Sequence, residues 1–420
     1  AGEMGLPEKE ILEKVYGEST KSMERFKMLR KKFEENFGHA ECEFFSAPGR
    51  SEIIGNHTDH NGGKIIAASI DMDTVCAASA NGTSSVHVIS EGYEEEIVID
   101  LEYLERIPKG SGTKALLAGL MEGVLKRGFH VGGFDAYVST EVIPAAGVSS
   151  SASFEMLICA VINGLFNENI MACTDYARIG QYAENIYWEK ASGLMDQMAC
   201  AAGGAVLLDF SDKERIKYEN VPLSFHEMGY GFFIINTGKG HADLSGEYST
   251  IPEEMAEAAE TLGVERLCES DEDTLLKHLE RIKNDRAVLR AIHFYEENER
   301  VEKAAESIRE KDAETLLGLI NESGRSSWEL LQNCWSMQDP KEQKITRMLA
   351  LTELFLKKIG DGACRVHGGG FAGVIMCLVP LKYAEDYRSY ISQYAGEENI
   401  YSISVRNMGA LQLRSSDPMN

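Results

Sequence analysis

Between a β-type run, Phe134–Ser139, and a stretch from about Ser151 to Leu165 lies the segment Pro144-Ala-Ala-Gly147-Val148-Ser149-Ser150-Ser151-Ala152-Ser153. The stretch after it is apolar on nearly every face of a helix. A helix with no polar side has to be covered, so it is expected to pack against a sheet. The small residues before the helix let the backbone close around a ligand. The free N–H groups of its first turn attract an anion. Three serines add hydroxyl donors and a hydroxyl able to ligate Mg²⁺. Gly-Lys-Ser/Thr is missing, so this is not a Walker A loop. An ordinary serine-rich helix cap would use the same residues.

Two further glycine-rich segments stand far from the first. Pro48-Gly49-Arg50-Ser51-Glu52-Ile53-Ile54-Gly55-Asn56-His57-Thr58-Asp59-His60-Asn61-Gly62-Gly63 packs polar groups of every type between glycines, and reads as a polar loop over Gly49–Gly63. Asn56, His57 and Asp59 could bind neighbouring hydroxyls, and His57, Asp59 and His60 could instead hold a metal. His367-Gly368-Gly369-Gly370-Phe371-Ala372-Gly373 leads into an apolar strand, as a tight turn or as a place where a ligand comes close to the backbone. Between these lies Ser192-Gly193-Leu194-Met195-Asp196-Gln197. Burial among small and apolar neighbours would raise the pKa of Asp196 and a nearby cation would hold it ionised, which suits a general base; a capping aspartate is the plainer reading.

The rest of the pattern is that of a folded protein of two domains. A polar lead-in helix occupies the first twenty or so residues. The pattern turns strand-like from Glu43, Lys64–Ala78 is a largely apolar stretch, and strands are expected over Ser85–Ser90, Glu95–Leu101, Ala205–Phe210, Gly231–Asn236, Gly373–Val379 and Ile400–Val405. A Glu-rich helical region runs to about Leu356, with Leu275, Leu276, Leu279 and Ile282 at helical spacing. Composition shifts near residue 215, and the boundary is set between a first domain, 1–222, and a second, 223–420. The net charge of −25 repels polyanions, and no basic run longer than Arg30-Lys31-Lys32 offsets it, so neither nucleic acid nor an anionic membrane is expected as a partner. Nine cysteines without a CxxC pair argue against disulfides and structural zinc. A cytoplasmic protein acting as a monomer is expected.

Taken in order, PGRSEIIGNHTDHNGG, PAAGVSSSAS, SGLMDQ and HGGGFAG resemble the motifs of the galactokinase branch of the GHMP kinases. INTGKGHADLSGEYSTIPEEM and NERV (Asn298 to Val301) fit the segments that follow the third motif. The resemblance runs from about residue 40 to 410. It implies a two-domain GHMP kinase, α/β plus α+β, with a ribosomal-protein-S5-like first domain, a ferredoxin-like second domain and the active site between them. It also implies ATP and Mg²⁺ as cofactors and a sugar as substrate. By position, Gly147, Val148, Ser149, Ser150, Ser151 and Ala152 would hold the ATP phosphates. Ser151 and Glu184 would ligate Mg²⁺. Asp196 would be the base, with Arg50 beside it, and Asn56, His57, Asp59, Gly193 and Tyr248 would line the sugar.

The sugar loop departs from the family. Gly-Glu-His-Thr-Asp-Tyr is usual there, whereas this chain has Gly55-Asn56-His57-Thr58-Asp59-His60, with Glu52 where Asn is usual. An amide donates as well as accepts, so Asn56 would tolerate a different group at that end of a ligand. D-Galactose is the first expectation; N-acetylgalactosamine, L-arabinose and inositol are the others. Some relatives of this type only sense sugar and ATP, and they can lack part of the Ser-Ser-Ser-Ala stretch that is complete here.

Overall fold

The computed structural model describes residues 5–414 except 94, 111, 191, 239–243 and 372, without the side chains of residues 145 and 245. Lys239 to Asp243 of the INTGKGHAD run and Ala372 of the glycine motif therefore lie outside the described residues.

The chain opens with two helices, α1 (Lys9–Tyr16) and α2 (Thr20–Phe37), and then enters β1 (Glu43–Ile54), β2 (Lys64–Ala80), β3 (Ser85–Ser90) and β4 (Ile97–Asp100). Helix α3 (Thr113–Lys126), β5 (Phe134–Thr140), α4 (Ser150–Phe166), α5 (Cys173–Tyr182), α6 (Met195–Ala202), β6 (Ala205–Asp209) and β7 (Lys217–Val221) follow. Strands β1 to β7 form one sheet. The 17-residue β2 is its spine, pairing with β1 along most of its length, with β6 at one end and with β5 at the other. Helix α4 is buried beneath it, with Met156, Leu157, Ile158 and Val161 all inaccessible, as its unbroken apolar surface required.

A second sheet contains β8 (Tyr230–Asn236), β9 (Ala363–Val366), β10 (Val374–Pro380) and β11 (Ile400–Ile403) in the antiparallel order β11-β8-β10-β9. Helices α7 (Ser245–Thr261), α8 (Glu272–Lys277), α9 (Asp285–Arg309), α10 (Ala313–Ser326) and α11 (Lys344–Ile359) separate β8 from β9, and α12 (Ala384–Ala395) separates β10 from β11. This is the βαββαβ order of a ferredoxin-like unit. The chain then crosses back. A bridge from Val405 to Ile70 and a final strand, β12 (Leu411–Gln412), beside β1 add residues 405–412 to the first sheet. A single cut at 222 therefore does not describe how the sheets are assembled.

Three sequence expectations are corrected. The polar loop expected over Gly49–Gly63 is strand as far as Ile54. Its polar residues are buried there because their partners come from remote segments: Asp196 for Arg50 and Arg365 for Glu52. Helix α2, with Met23, Phe26, Leu29 and Phe33 buried at helical spacing, was not anticipated. The helix read through Leu275 to Ile282 breaks after Lys277, leaving Leu276 exposed. Among the described residues no helix is long and apolar enough to cross a membrane.

The two opening helices are fastened at Asp73, on β2, which is fully buried. Its carboxylate accepts from Tyr16 Oη (2.6 Å), Arg25 Nη1 (2.6 Å), Ser46 Oγ (2.6 Å) and Arg406 Nη1 (3.1 Å). Burial alone would raise its pKa, but Arg25 and Arg406 outweigh that and hold it below the usual range. Asp73→Ala leaves the buried Arg406 guanidinium without its counterion and takes the closer of two carboxylates from the partly exposed Arg25. It should cost about 3–5 kcal/mol of unfolding free energy in urea titrations. A loss under about 1 kcal/mol would show that Asp73 does not fasten the helices.

Candidate active site

Arg50 brings two of the motifs together. Its Nε donates to Asp196 Oδ1 at 2.7 Å, its Nη1 donates to the Gly147 carbonyl at 3.1 Å, and its backbone N–H donates to the Val148 carbonyl at 3.0 Å. Backbone meets backbone here because residue 49 is glycine; a Cβ at that position would stand 2.7 Å from the Val148 oxygen. Burial pushes the Asp196 carboxyl upward, but Arg50 and the Ser149 hydroxyl more than compensate, so Asp196 stays ionised below the usual carboxylate range. Gly147, Ser149, Ser150, Ser151, Ala152, Glu184, Asp196 and Tyr248 line one cleft with Arg50 and residues 367–370, while the Val148 side chain is buried beneath it. The N-terminus of the 17-residue α4 opens on this cleft, so its free N–H groups and the positive end of its dipole face any anion bound there. Ser149, just before α4, has φ 60°, a conformation that costs a non-glycine residue about 1–3 kcal/mol and recurs at functional sites.

Glu184 sits on a π-helical turn, Ala183–Tyr187, and is nearly buried. Ser192 Oγ donates to its Oε1 at 2.9 Å, Gln197 Nε2 donates to its Oε2, and Lys190 Nζ lies 3.6 Å from Oε1. A neighbouring carboxyl, Glu155 on α4, is wholly buried with Oε2 unpartnered; burial and the nearness of Glu184 push its pKa well up. Carboxylate and hydroxyl oxygens are hard donors, and Glu184 with Ser151 fits Mg²⁺ held partly by phosphate oxygens. Among the described residues no group of three or more His, Cys, Asp or Glu is placed to hold a metal, so the alternative through His57, Asp59 and His60 has no supporting geometry.

His57, Asp59, Gly193 and Tyr248 also come together. A Cβ on Gly193 would stand 3.1 Å from Asp59 Oδ2, and one on Gly369 would meet Tyr248 Cε1 at 2.9 Å and His57 Nε2 at 3.9 Å. His57 Nε2 lies 2.8 Å from the Gly369 carbonyl, which can only accept, so Nε2 carries a proton. Loss of water raises the Asp59 pKa, and His57 partly offsets this. Asn56 is a correction: it does not reach the cleft. It is fully buried, and both N–H groups and both acceptor positions of its amide are already used within the protein.

Sequence reading missed most of what supports this loop. On α9, Arg290, His293, Glu297 and Val301 recur at helical spacing, and two of them grip the loop from below. Glu297 Oε2 accepts from Gly55 N (3.2 Å), Asn56 N (2.9 Å) and Ser323 Oγ (2.6 Å). His293 Nε2 donates to the Asn56 carbonyl (2.8 Å), so its Nδ1 accepts from Ser326 Oγ (2.7 Å). The polar residues of a long Glu-rich helix carried no signal for this, because its period alone does not say which of them are buried. Also missed was a hollow on the far side of the serine loop, lined by Ile97, Lys114, Leu116, Phe154 and Trp188. Ser150 and Ser151 line both spaces.

Residues 31–80 match the galactokinase galactose-binding signature and residues 98–204 the GHMP kinases N terminal domain. A galactokinase of Glaesserella parasuis is 30% identical over 379 residues, covering 88% of this chain and 94% of that protein. A galactokinase of Clostridium perfringens is 29% identical over 397 residues, covering 90% and 97%. The crystal structure of Lactococcus lactis galactokinase complexed with galactose superposes with a TM-score of 0.80 at 27% identity, covering 92% of this chain and 99% of that one.

The grip of α9 on the loop should weaken in acid. Burial lowers the His293 pKa from 6.5 to about 4, so the native state resists a proton that the unfolded chain accepts. Its contribution is full above pH 6.5 and is lost as pH falls toward 4. Glu297 acts lower. Burial would raise it, but His293, Arg300 and Arg365 bring it from 4.5 to about 2, so its stabilisation is full above 4.5 and is lost toward 2. Thermal melts should show Tm falling between pH 6.5 and 4, with a shallower fall in His293→Gln. An identical slope in that variant would remove His293 from the account.

Proposed function

The chain belongs to the galactokinase family of the GHMP kinases, and we propose that it transfers the γ-phosphoryl group of ATP to the 1-hydroxyl of D-galactose. It is an ATP-dependent phosphotransferase acting on a sugar hydroxyl. The observation that carries the reading is the placing of Asp196, which Arg50 holds ionised where the α4 N-terminus meets the wall built by His57, Asp59 and Tyr248.

In this reading the triphosphate lies along residues 147–152 and the nucleoside enters the hollow beside Phe154 and Trp188, which Ser150 and Ser151 connect to the cleft. Glu184 and Ser151 would hold Mg²⁺, which when bound offsets charge on the phosphate oxygens. Asp59 accepts hydrogen bonds from sugar hydroxyls, and His57 bonds a hydroxyl through Nδ1. Gly193 leaves room beside Asp59, where a side chain would crowd the carboxylate. Asp196 orients the attacking hydroxyl and takes its proton. Arg50 and the α4 N–H groups stabilise charge on the transferring group. The transition state of such transfers is loose, so rate comes mainly from holding acceptor and phosphoryl group in line.

The inward turn of Asn56 bears on substrate choice: the residue expected to alter the sugar's surroundings is not among the groups facing the cleft. Galactose therefore stays the first candidate, ahead of N-acetylgalactosamine, L-arabinose and inositol. The test is ADP release with Mg-ATP and each compound in turn. Saturable turnover on galactose supports the proposal. Turnover on another member of the panel with galactose inert reassigns the substrate, and binding of galactose and ATP without turnover makes the protein a sensor. Asp196→Asn should keep ATP affinity within about threefold while kcat falls by about 10²–10⁴. Near-wild-type turnover in that variant would remove Asp196 from the mechanism.

A further inference from the structure

Position 56 carries an amide and position 52 a carboxylate, and the two touch. Asn56 Nδ2 donates to Glu52 Oε1 at 3.0 Å and to the Gly368 carbonyl at 2.6 Å. Asn56 Oδ1 accepts from Ser327 Oγ at 3.0 Å and Asn333 Nδ2 at 2.8 Å. The orientation of the amide is fixed by its partners: a carboxylate and a carbonyl can only accept, so the NH₂ must face them. Glu52 Oε1 in turn accepts from Arg365 Nη2 at 2.7 Å. Asn56, Asn333, Ser327 and Arg365 are all inaccessible to solvent and Glu52 is 3% exposed, so no water can substitute for a lost partner.

The network ends at the sugar wall. Asn333 Nδ2 also donates to the Gly369 carbonyl at 3.1 Å, and the Asn333 carbonyl accepts from Phe371 N at 2.6 Å. Gly369 is the residue whose carbonyl accepts from His57 Nε2–H. We infer that Glu52 and Asn56 are positioning residues, a buried carboxylate–amide pair that holds the 367–370 loop against His57 and thereby keeps the His57 Nε2 proton on the Gly369 carbonyl. Neither touches substrate.

The pair makes an unusual demand. Asn56→Glu sets a carboxylate against the Glu52 carboxylate and the Gly368 carbonyl with no proton to share. The exchange E52N/N56E restores one donor and one acceptor between positions 52 and 56, while the Gly368 carbonyl still faces a carboxylate. The relevance to sugar binding rests on the functional reading above; the state of the His57 ring does not. Two readouts on the full-length protein keep these separate: the His57 tautomer by ¹⁵N–¹H correlation of the imidazole, which needs no substrate, and KM for sugar and ATP from the ADP-release assay.

In the wild type His57 should be the Nε2–H tautomer. In Asn56→Glu that tautomer should be lost and the sugar KM should rise at least about tenfold, with the ATP KM within about twofold. In E52N/N56E the tautomer should return and the sugar KM should fall to within about threefold of wild type. Ser327→Ala removes one donor to Asn56 without adding charge, and serves if Asn56→Glu does not fold; it should raise the sugar KM about threefold and leave the ATP KM unmoved. An unchanged His57 tautomer in Asn56→Glu, a doubly exchanged protein no better than the product of its two single changes, or a Ser327→Ala protein with both constants at wild-type values would overturn the inference. If the wild type turns over no sugar while the tautomer shifts and recovers as stated, the positioning role stands and the functional reading fails.

Discussion

The pairing of Arg50 with Asp196 is the interaction on which the site depends. One guanidinium, buried in β1, spans a side chain 146 residues away and the carbonyl of the loop that precedes α4. The same contact fixes a charge and a distance. Without it Asp196 would lose the nearest cation that holds it ionised, and the serine loop would keep only the Arg50 backbone N–H as its tie to β1. Glycine at 49 is the steric condition for this contact, since any side chain would push the loop outward.

The chain also stores backbone strain at the places where these segments meet. His57, Ser149, Gln332 and Phe371 all have left-handed φ values between 57° and 60°. One belongs to each of the three glycine-rich segments, and Gln332 immediately precedes Asn333. Each is costly for a residue with a Cβ, and each is held by neighbours in both sequence and space. A second irregularity follows the same distribution. The two π-helical turns, Ala183–Tyr187 and Ser327–Leu331, carry Glu184 and Ser327, so both deliver a side chain to the site or to the network behind it. Rigid elements surround the site, and half of the non-glycine residues with left-handed φ among the described residues lie in it or directly behind it.

Much of this was legible in the sequence, and the limits have physical causes. The strands at Ser85–Ser90 and Phe134–Thr140 and the buried helix α4 followed from local period and composition. The residues of the cleft followed from motifs in order, and Arg50, His57, Asp59, Gly193 and Asp196 do converge. Position 56 misled because sequence identifies a polar group in a polar loop but not the direction it faces. Its four partners come from residues 52, 327, 333 and 368, and only the folded chain brings them together. Arg50, Ser51 and Glu52 read as loop for the same reason, since partners far along the chain made burial tolerable. His293 and Glu297 were hidden in a helix whose other polar residues face water.

The return of the chain to the first sheet has a consequence for how the molecule comes into being. Arg406 supplies one of the two guanidinium groups on Asp73, and residues 411–412 lie along the outer edge of β1. During synthesis the N-terminal half is complete in length long before these residues exist. It must wait on the ribosome with a bare strand edge and a buried carboxylate short of one counterion while the whole ferredoxin-like unit is made. The second unit is therefore an insertion that the first has to outlast, and vectorial synthesis leaves the closing of the first sheet to one of the last events in folding.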